Sequence, residues 1–273
     1  GPEGGDGGGR IIATGAPEAV AANPEFGAIV RMLASRGIGA SMSSLRAEDL
    51  DEETARLIGG IGTTAVSLAP ESASERVRYL LGKRVPNERY FNVAARLSEA
   101  GVRQFTLYIL IGCPGEDDSA LPATKTFMEG FKRAIGGRSF SVHVNALVPK
   151  PWTPLQFHSM PGEKSLEALG TSMERMLRGM GLRPRVKSAR SAVRQAVLSL
   201  GDERLGEAIA LHVERGTSWR RALGESGADE GFPHAQKGPE TSFPWDSISG
   251  PVRRDVLWKR FEALAGRKPD GVR

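Results

Sequence analysis

Short apolar runs alternate with amphipathic stretches from Arg10 to about Pro149. The runs at 10–16, 38–44, 63–70, 105–112 and 139–148 have the length and β-branched content of strands, with few polar breaks. Strands of that kind are covered on both faces, which predicts an α/β fold with a parallel sheet or barrel. Between them the 3.6-residue period predicts helices. One opens at Asn23-Pro24-Glu25 and stops at Gly37, one covers 47–62, one starts from Ser74, one covers 87–100 and one lies near 119–135. The β-α unit thus repeats about five times. Prolines interrupt the pattern in "PKPWTPLQFHSMPG" (149–162). Beyond them, 164–180, 188–215 and 251–265 read as amphipathic helices, with a polar connection over 216–250.

Composition changes this picture little. The 273 residues are 40% hydrophobic and 25% charged, as in an ordinary globular chain. The net charge of +5 is that of a solvated surface, although Arg183, Arg185, Lys187, Arg190 and Arg194 form a basic stretch that could meet RNA. No apolar run approaches the ~20 residues of a membrane span, so no membrane partner is expected. The single cysteine, Cys113, excludes a disulfide within the chain and predicts a reducing, cytoplasmic setting. Residues 1–9 are Gly-rich, lack an initiator methionine and read as a flexible leader or truncation edge. Three segments follow from this: 1–9, a βα core over 10–160 and a mainly helical extension over 161–273.

In a parallel βα arrangement, functional groups gather at the carboxyl ends of the strands. Here those ends are "SSLR" (43–46), "APESASER" (69–76), "GCPGE" (112–116) and "VNALVPKPWTP" (144–154). Glu71, a carboxylate at a strand tip, is poorly placed for a purely structural role. Ser72 or Ser74 equally suits a helix N-cap, and Arg76 and Arg78 suit solvated helix-face charges. Gly112 and Gly115 suit a tight turn. His143, His158, His212 and His234 show no ligand spacing, so no metal site is expected from this chain alone. There is no serine nucleophile elbow and no phosphate-binding loop.

Taken in order, "SSLRAEDL", "SLAPESASERVRYLLGKRV", "LYILIGCPGED" and "VNALVPKPWTPLQF" resemble segments of radical S-adenosylmethionine (radical SAM) proteins. The subgroup resembled carries a cobalamin-binding-type domain before the radical SAM core. "SARSAVRQAVLSLGDERLGEAI" and "FPWDSISGPVRRDVLWKRFEALAG" resemble the region that follows the core there. The resemblance implies a partial TIM-type (βα) barrel with a C-terminal helical extension. It further implies that SAM's adenine lies against bare backbone at Gly112, with Val148 on the far side of the slot. Glu71 matches a position that contacts the ribose and methionine portions. Ser44 and Arg46 match cavity-facing positions, Lys83 matches a basic position near the carboxylate, and Ser74 counts with them among the expected cofactor-binding residues. A ligand of that kind calls for a carboxylate and a basic group together.

One departure is large. Radical SAM chemistry needs Cys-x-x-x-Cys-x-x-Cys after the first strand, so that three thiolates hold a [4Fe–4S] cluster. Cys113 is the only cysteine and falls on another strand. The run at 10–16 corresponds to the family's second strand, so the expectation is a C-terminal portion lacking its first βα unit and inactive by itself. In the complete protein the resemblance implies reductive cleavage of SAM and radical chemistry on an unknown substrate, with cobalamin as a further cofactor. The alternative is a non-catalytic, barrel-derived module that binds a ligand or RNA.

Overall fold

The computed structural model describes residues 10–13, 26–42, 45–48, 50 and 52–265. Strands β1 (Arg10–Ala13), β2 (Gly39–Met42), β3 (Ala65–Glu71), β4 (Gln104–Ile111), β5 (Ser141–Ala146) and β6 (Arg183–Val186) alternate with helices. Those between β1 and β5 are α1 (Phe26–Ser35), α2 (Glu52–Gly60), α3 (Glu75–Leu80), α4 (Asn87–Glu99) and α5 (Ala120–Ala134). β1 pairs with β2, β3 with β4 and β5 with β6, each in parallel. The larger sheet runs β3-β4-β5-β6, and a parallel bridge from Leu45 to Leu68 lies beside β3. The fold is α/β, with parallel strands in chain order, as a partial TIM-type barrel requires. The predicted residues 14–16, 43–44 and Asn23-Pro24-Glu25 lie outside the described residues.

The chain divides into two compact units. The first is built from the chain up to Leu110, from Glu116–Val144 and from Ser172–Val186. Its β4 alternates between buried Phe105, Leu107 and Ile109 and half-buried Thr106, Tyr108 and Leu110. One strand face therefore lies under helices, with Phe105 edge-on to Phe131 of α5 at 5.8 Å and Phe131 edge-on to Phe140 at 5.0 Å. The other face is only half covered and more polar, with Ser67, Thr106, Tyr108 and His143 among its side chains. Helix α4 packs against α2 and α5. At Gly59 a Cβ would stand 1.9 Å from the Ala100 carbonyl oxygen, so only glycine permits that crossing.

The second unit comprises Ile111–Gly115, Asn145–Thr171 and Lys187–Arg273. Its helices include the first half of α6 (Glu163–Gly179), then α7 (Ala189–Leu200), α8 (Arg204–Glu214), α9 (Trp219–Ser226) and α10 (Arg254–Ala265). Phe157, Leu200, Phe243, Trp245 and Leu257 form one apolar cluster in it.

One expectation requires correction, and two segments hold more structure than the sequence pattern showed. Residues 188–215 form two helices, because Gly201 ends α7 and the Asp202 carboxylate accepts the Arg204 N–H at 3.1 Å where α8 begins. Arg183–Val186 is a sixth strand, on the sheet edge, where the missing N–H of Pro184 is tolerated. The connection over 216–250 contains α9 and a 3₁₀ turn at Phe232–His234.

Candidate functional site

In the first unit, chemistry concentrates at the tip of β3. The strand pairs regularly with β4 as far as Leu68 opposite Leu107; the register then shifts and Glu71 falls opposite Ile109. Ser72 N–H donates to the Pro70 carbonyl at 2.7 Å, closing a three-residue turn around Glu71, whose φ is +61°. A left-handed glutamate in so tight a turn is strained by roughly 1–3 kcal/mol, a cost met most often at functional positions. Lys83, in the loop between α3 and α4, donates from Nζ to Glu71 Oε1 and to the Ala69 carbonyl, both at 2.8 Å. The two side chains retain 23% and 30% exposure, so the pair is sheltered yet reachable.

Neighbouring groups are committed to structure. Ser74 is the N-cap of α3 and accepts the Val77 N–H at 3.4 Å, while Ser72 Oγ accepts the Ser74 N–H at 3.2 Å. Glu75 accepts the first N–H of α4, from Asn87, at 2.6 Å. Arg76 pairs with Asp117 at 2.5 Å. Arg46 is exposed and pairs with Glu48 at 3.0 Å, and Ser44 lies outside the described residues.

Arg78 is corrected outright. The expected solvated helix charge is fully buried, hydrogen-bonded to Pro70, Ser72, Val85 and Asn87, and lies 4.9 Å over the Tyr90 ring. Desolvation pulls its pKa below the ordinary arginine value, and burial pushes the Tyr90 hydroxyl up to about 12. The 3.6-residue pattern alone could not separate Arg78 from Arg76, two positions away.

In the second unit, Gly112 turns the chain after β4 with φ +72°. A Cβ there would meet Leu166 Cδ2 at 2.9 Å and Pro161 Cγ at 3.2 Å. The missing side chain thus serves both the backbone conformation and the chain's own packing. Leu147 N–H donates to the Ile111 carbonyl at 2.9 Å, fixing the segment after β5 beside this turn. Val148, half-buried, packs against the cluster containing Met160, Leu166 and Ala189. His158 Nε2 lies 3.1 Å from the Gly112 carbonyl. A carbonyl only accepts, so Nε2 carries the proton, and burial holds the ring below the usual histidine pKa.

Asn145, at the end of β5 in this unit, was not anticipated. Among the described residues, its buried Oδ1 has no hydrogen-bond partner. Such an atom costs roughly 1–3 kcal/mol and calls for an explanation. Its signal in the sequence is a polar residue in an otherwise apolar strand end, "VNALV". Cavities of about 380 and 740 Å³ also lie in the second unit; Arg190 and Arg194 of the basic stretch line the larger of these two, and none of the residues expected to bind SAM lines either. Within the basic stretch, Arg190 pairs with Glu163 at 3.1 Å and Arg194 stacks 5.1 Å over Trp219.

Residues 8–128 match the Radical SAM superfamily. An uncharacterized protein of Methanocaldococcus jannaschii is 26% identical over 181 residues, spanning 66% of this chain and 39% of that protein. The chain thus corresponds to well under half of that relative's length. A solved N-acetylneuraminate lyase of Proteus mirabilis aligns over 94% of this chain and 98% of its own, at 11% identity and TM-score 0.27, a likeness that says nothing of fold or function. Radical SAM proteins typically use SAM and a [4Fe–4S] cluster. The cluster does not fit this chain's own residues: three thiolates are needed and Cys113 is the single cysteine. Among the described residues, no group of three or more His, Cys, Asp or Glu could hold a metal ion. Among the described residues, no helix is long and apolar enough to cross a membrane.

Proposed function

We propose that this chain is the SAM-binding portion of a radical SAM enzyme, with Glu71 and Lys83 receiving the charged end of the ligand. The observation that carries this reading is the Glu71–Lys83 pair at 2.8 Å, mounted on a strained turn at a strand's carboxyl end. An ion pair needed only for stability would not require left-handed backbone. SAM presents a carboxylate, an ammonium and ribose hydroxyls. Lys83 can swing to the carboxylate while Glu71 accepts from the ammonium or a hydroxyl. Both side chains keep about a quarter to a third of their surface exposed, so a ligand can reach the pair and exchange with it.

Ser44 and Arg46 supply further polar contacts, and Ser74 contributes by capping α3. The cysteines for a [4Fe–4S] cluster would come from outside these 273 residues. When bound, that cluster supplies the electron for reductive cleavage of SAM. The chain's own share is to bind and orient the ligand, and by itself it is inactive in cleavage. Cobalamin as a second cofactor, and a cytoplasmic location, belong to the same proposal. Equilibrium dialysis against SAM, ATP and NAD tests it. One saturable site for SAM, displaced by S-adenosylhomocysteine but not by ATP, is expected; equal retention of all three, or of none, overturns it.

A further inference from the structure

We infer that Arg78 is a positioning residue that ties the strand tip bearing Glu71 to the loop bearing Lys83. The inference rests on the reading of that pair as the ligand-binding groups. Residues on both sides of the pair converge on one guanidinium. Nε donates to the Pro70 and Ser72 carbonyls at 3.2 and 3.0 Å, and one terminal nitrogen reaches Ser72 again at 2.7 Å; these residues flank Glu71. That same nitrogen donates to Asn87 Oδ1 at 2.6 Å, and the other terminal nitrogen donates to the Val85 carbonyl at 2.5 Å, both partners lying just beyond Lys83. The Arg78 carbonyl also accepts the Lys83 N–H at 3.0 Å.

This is an unusual place for a charge. Arg78 has no exposed surface and, among the described residues, no ion pair with a carboxylate. Tyr90 and Phe127 lie 4.9 and 5.7 Å from the guanidinium carbon. A buried cation is disfavoured unless every donor is satisfied. Here carbonyls and a carboxamide accept from all three guanidinium nitrogens, and they come from the two segments that Lys83 and Glu71 also join. Arginine's rigid fork can bridge both at once, which a flexible point charge cannot. The γ-turn around Glu71 is the element under strain, and the carbonyls on either side of it are the ones Arg78 holds. A ligand carrying two charges in fixed separation requires that spacing to be set before it arrives.

The test compares the amine reactivity of Lys83 with that of Lys132 in α5, in wild type and in Arg78→Gln, by acylation and peptide mass spectrometry. Lys132 donates to the Met180 carbonyl elsewhere in the first unit and reports general loosening. The expected result is about a tenfold rise in Lys83 labelling with Lys132 unchanged, together with SAM affinity weakened about tenfold. Equal rises at both lysines would reduce Arg78 to a general fold residue, and no rise at either would remove its role altogether. Should Arg78→Gln not fold, Asn87→Ala deletes one acceptor only. It should raise Lys83 labelling about two- to threefold, and an unchanged value overturns the inference. If SAM does not bind even the wild type, the ligand reading fails while the labelling ratio still decides whether Arg78 sets the pair.

Discussion

Lys83 closes on Glu71 at 2.8 Å across twelve positions of sequence, and the same ammonium holds the Ala69 carbonyl at 2.8 Å. Both contacts brace the end of β3 where its pairing with β4 loses register. The pair therefore has one foot in stability and one in binding, and substitutions must separate the two.

Glu75→Gln supplies the structural reference. Its carboxylate accepts the Asn87 N–H that starts α4, so the change weakens a charge-assisted hydrogen bond. A stability loss of about 1 kcal/mol is expected in denaturant unfolding, with SAM affinity unchanged. A loss of affinity without a loss of stability would move Glu75 into the site.

Asn145→Ala should cost less than its burial suggests. Removing an orphaned buried oxygen relieves a desolvation cost, which offsets part of the lost packing, so stability should change by under ~1 kcal/mol in denaturant unfolding. A larger loss would mean that the oxygen serves the fold.

Gly112→Ala is a poor probe of the adenine and a good one of the turn. The φ of +72° and the approach of Leu166 and Pro161 act whether or not a ligand is present. A loss of about 1–2 kcal/mol is expected in the free protein. Unchanged stability would show that the turn readily adopts another conformation.

Much of the fold was legible because its signal is local. β4 places Phe105, Leu107, Ile109 and Ile111 two residues apart, and a helix pattern separates each strand up to β5 from the next. β6 was not, because "RPRV" has no apolar period and becomes a strand only by pairing with β5. Glu71 and Lys83 were singled out from strand position and resemblance, and their contact then emerged in three dimensions. Arg78 and Asn145 stayed hidden for a shared reason. Burial of a polar group depends on what packs over it, and that information lies far away in the chain.

Lys237 gives a pH dependence of known sign. Only 3% exposed, it donates to the carbonyls of His158, Pro233 and Ala235, and burial lowers its pKa from 10.5 to about 8. Between pH 8 and 10.5 the unfolded chain binds more protons at this site than the folded one, so its contribution to stability rises with pH over that window and is lost as pH falls through about 8. The difference in unfolding free energy between wild type and Lys237→Met should drift by about 2–3 kcal/mol across it. A flat difference would mean that the folded lysine titrates normally.

The most direct test of the central claim is calorimetric titration of SAM into wild type and Glu71→Gln, with thermal unfolding of both. A charge-assisted hydrogen bond in a sheltered site contributes roughly 1.5–3 kcal/mol, so Glu71→Gln should bind about ten- to a hundredfold more weakly while still unfolding cooperatively. Equal affinities in the two proteins would contradict the account and leave the Glu71–Lys83 pair as a brace for β3.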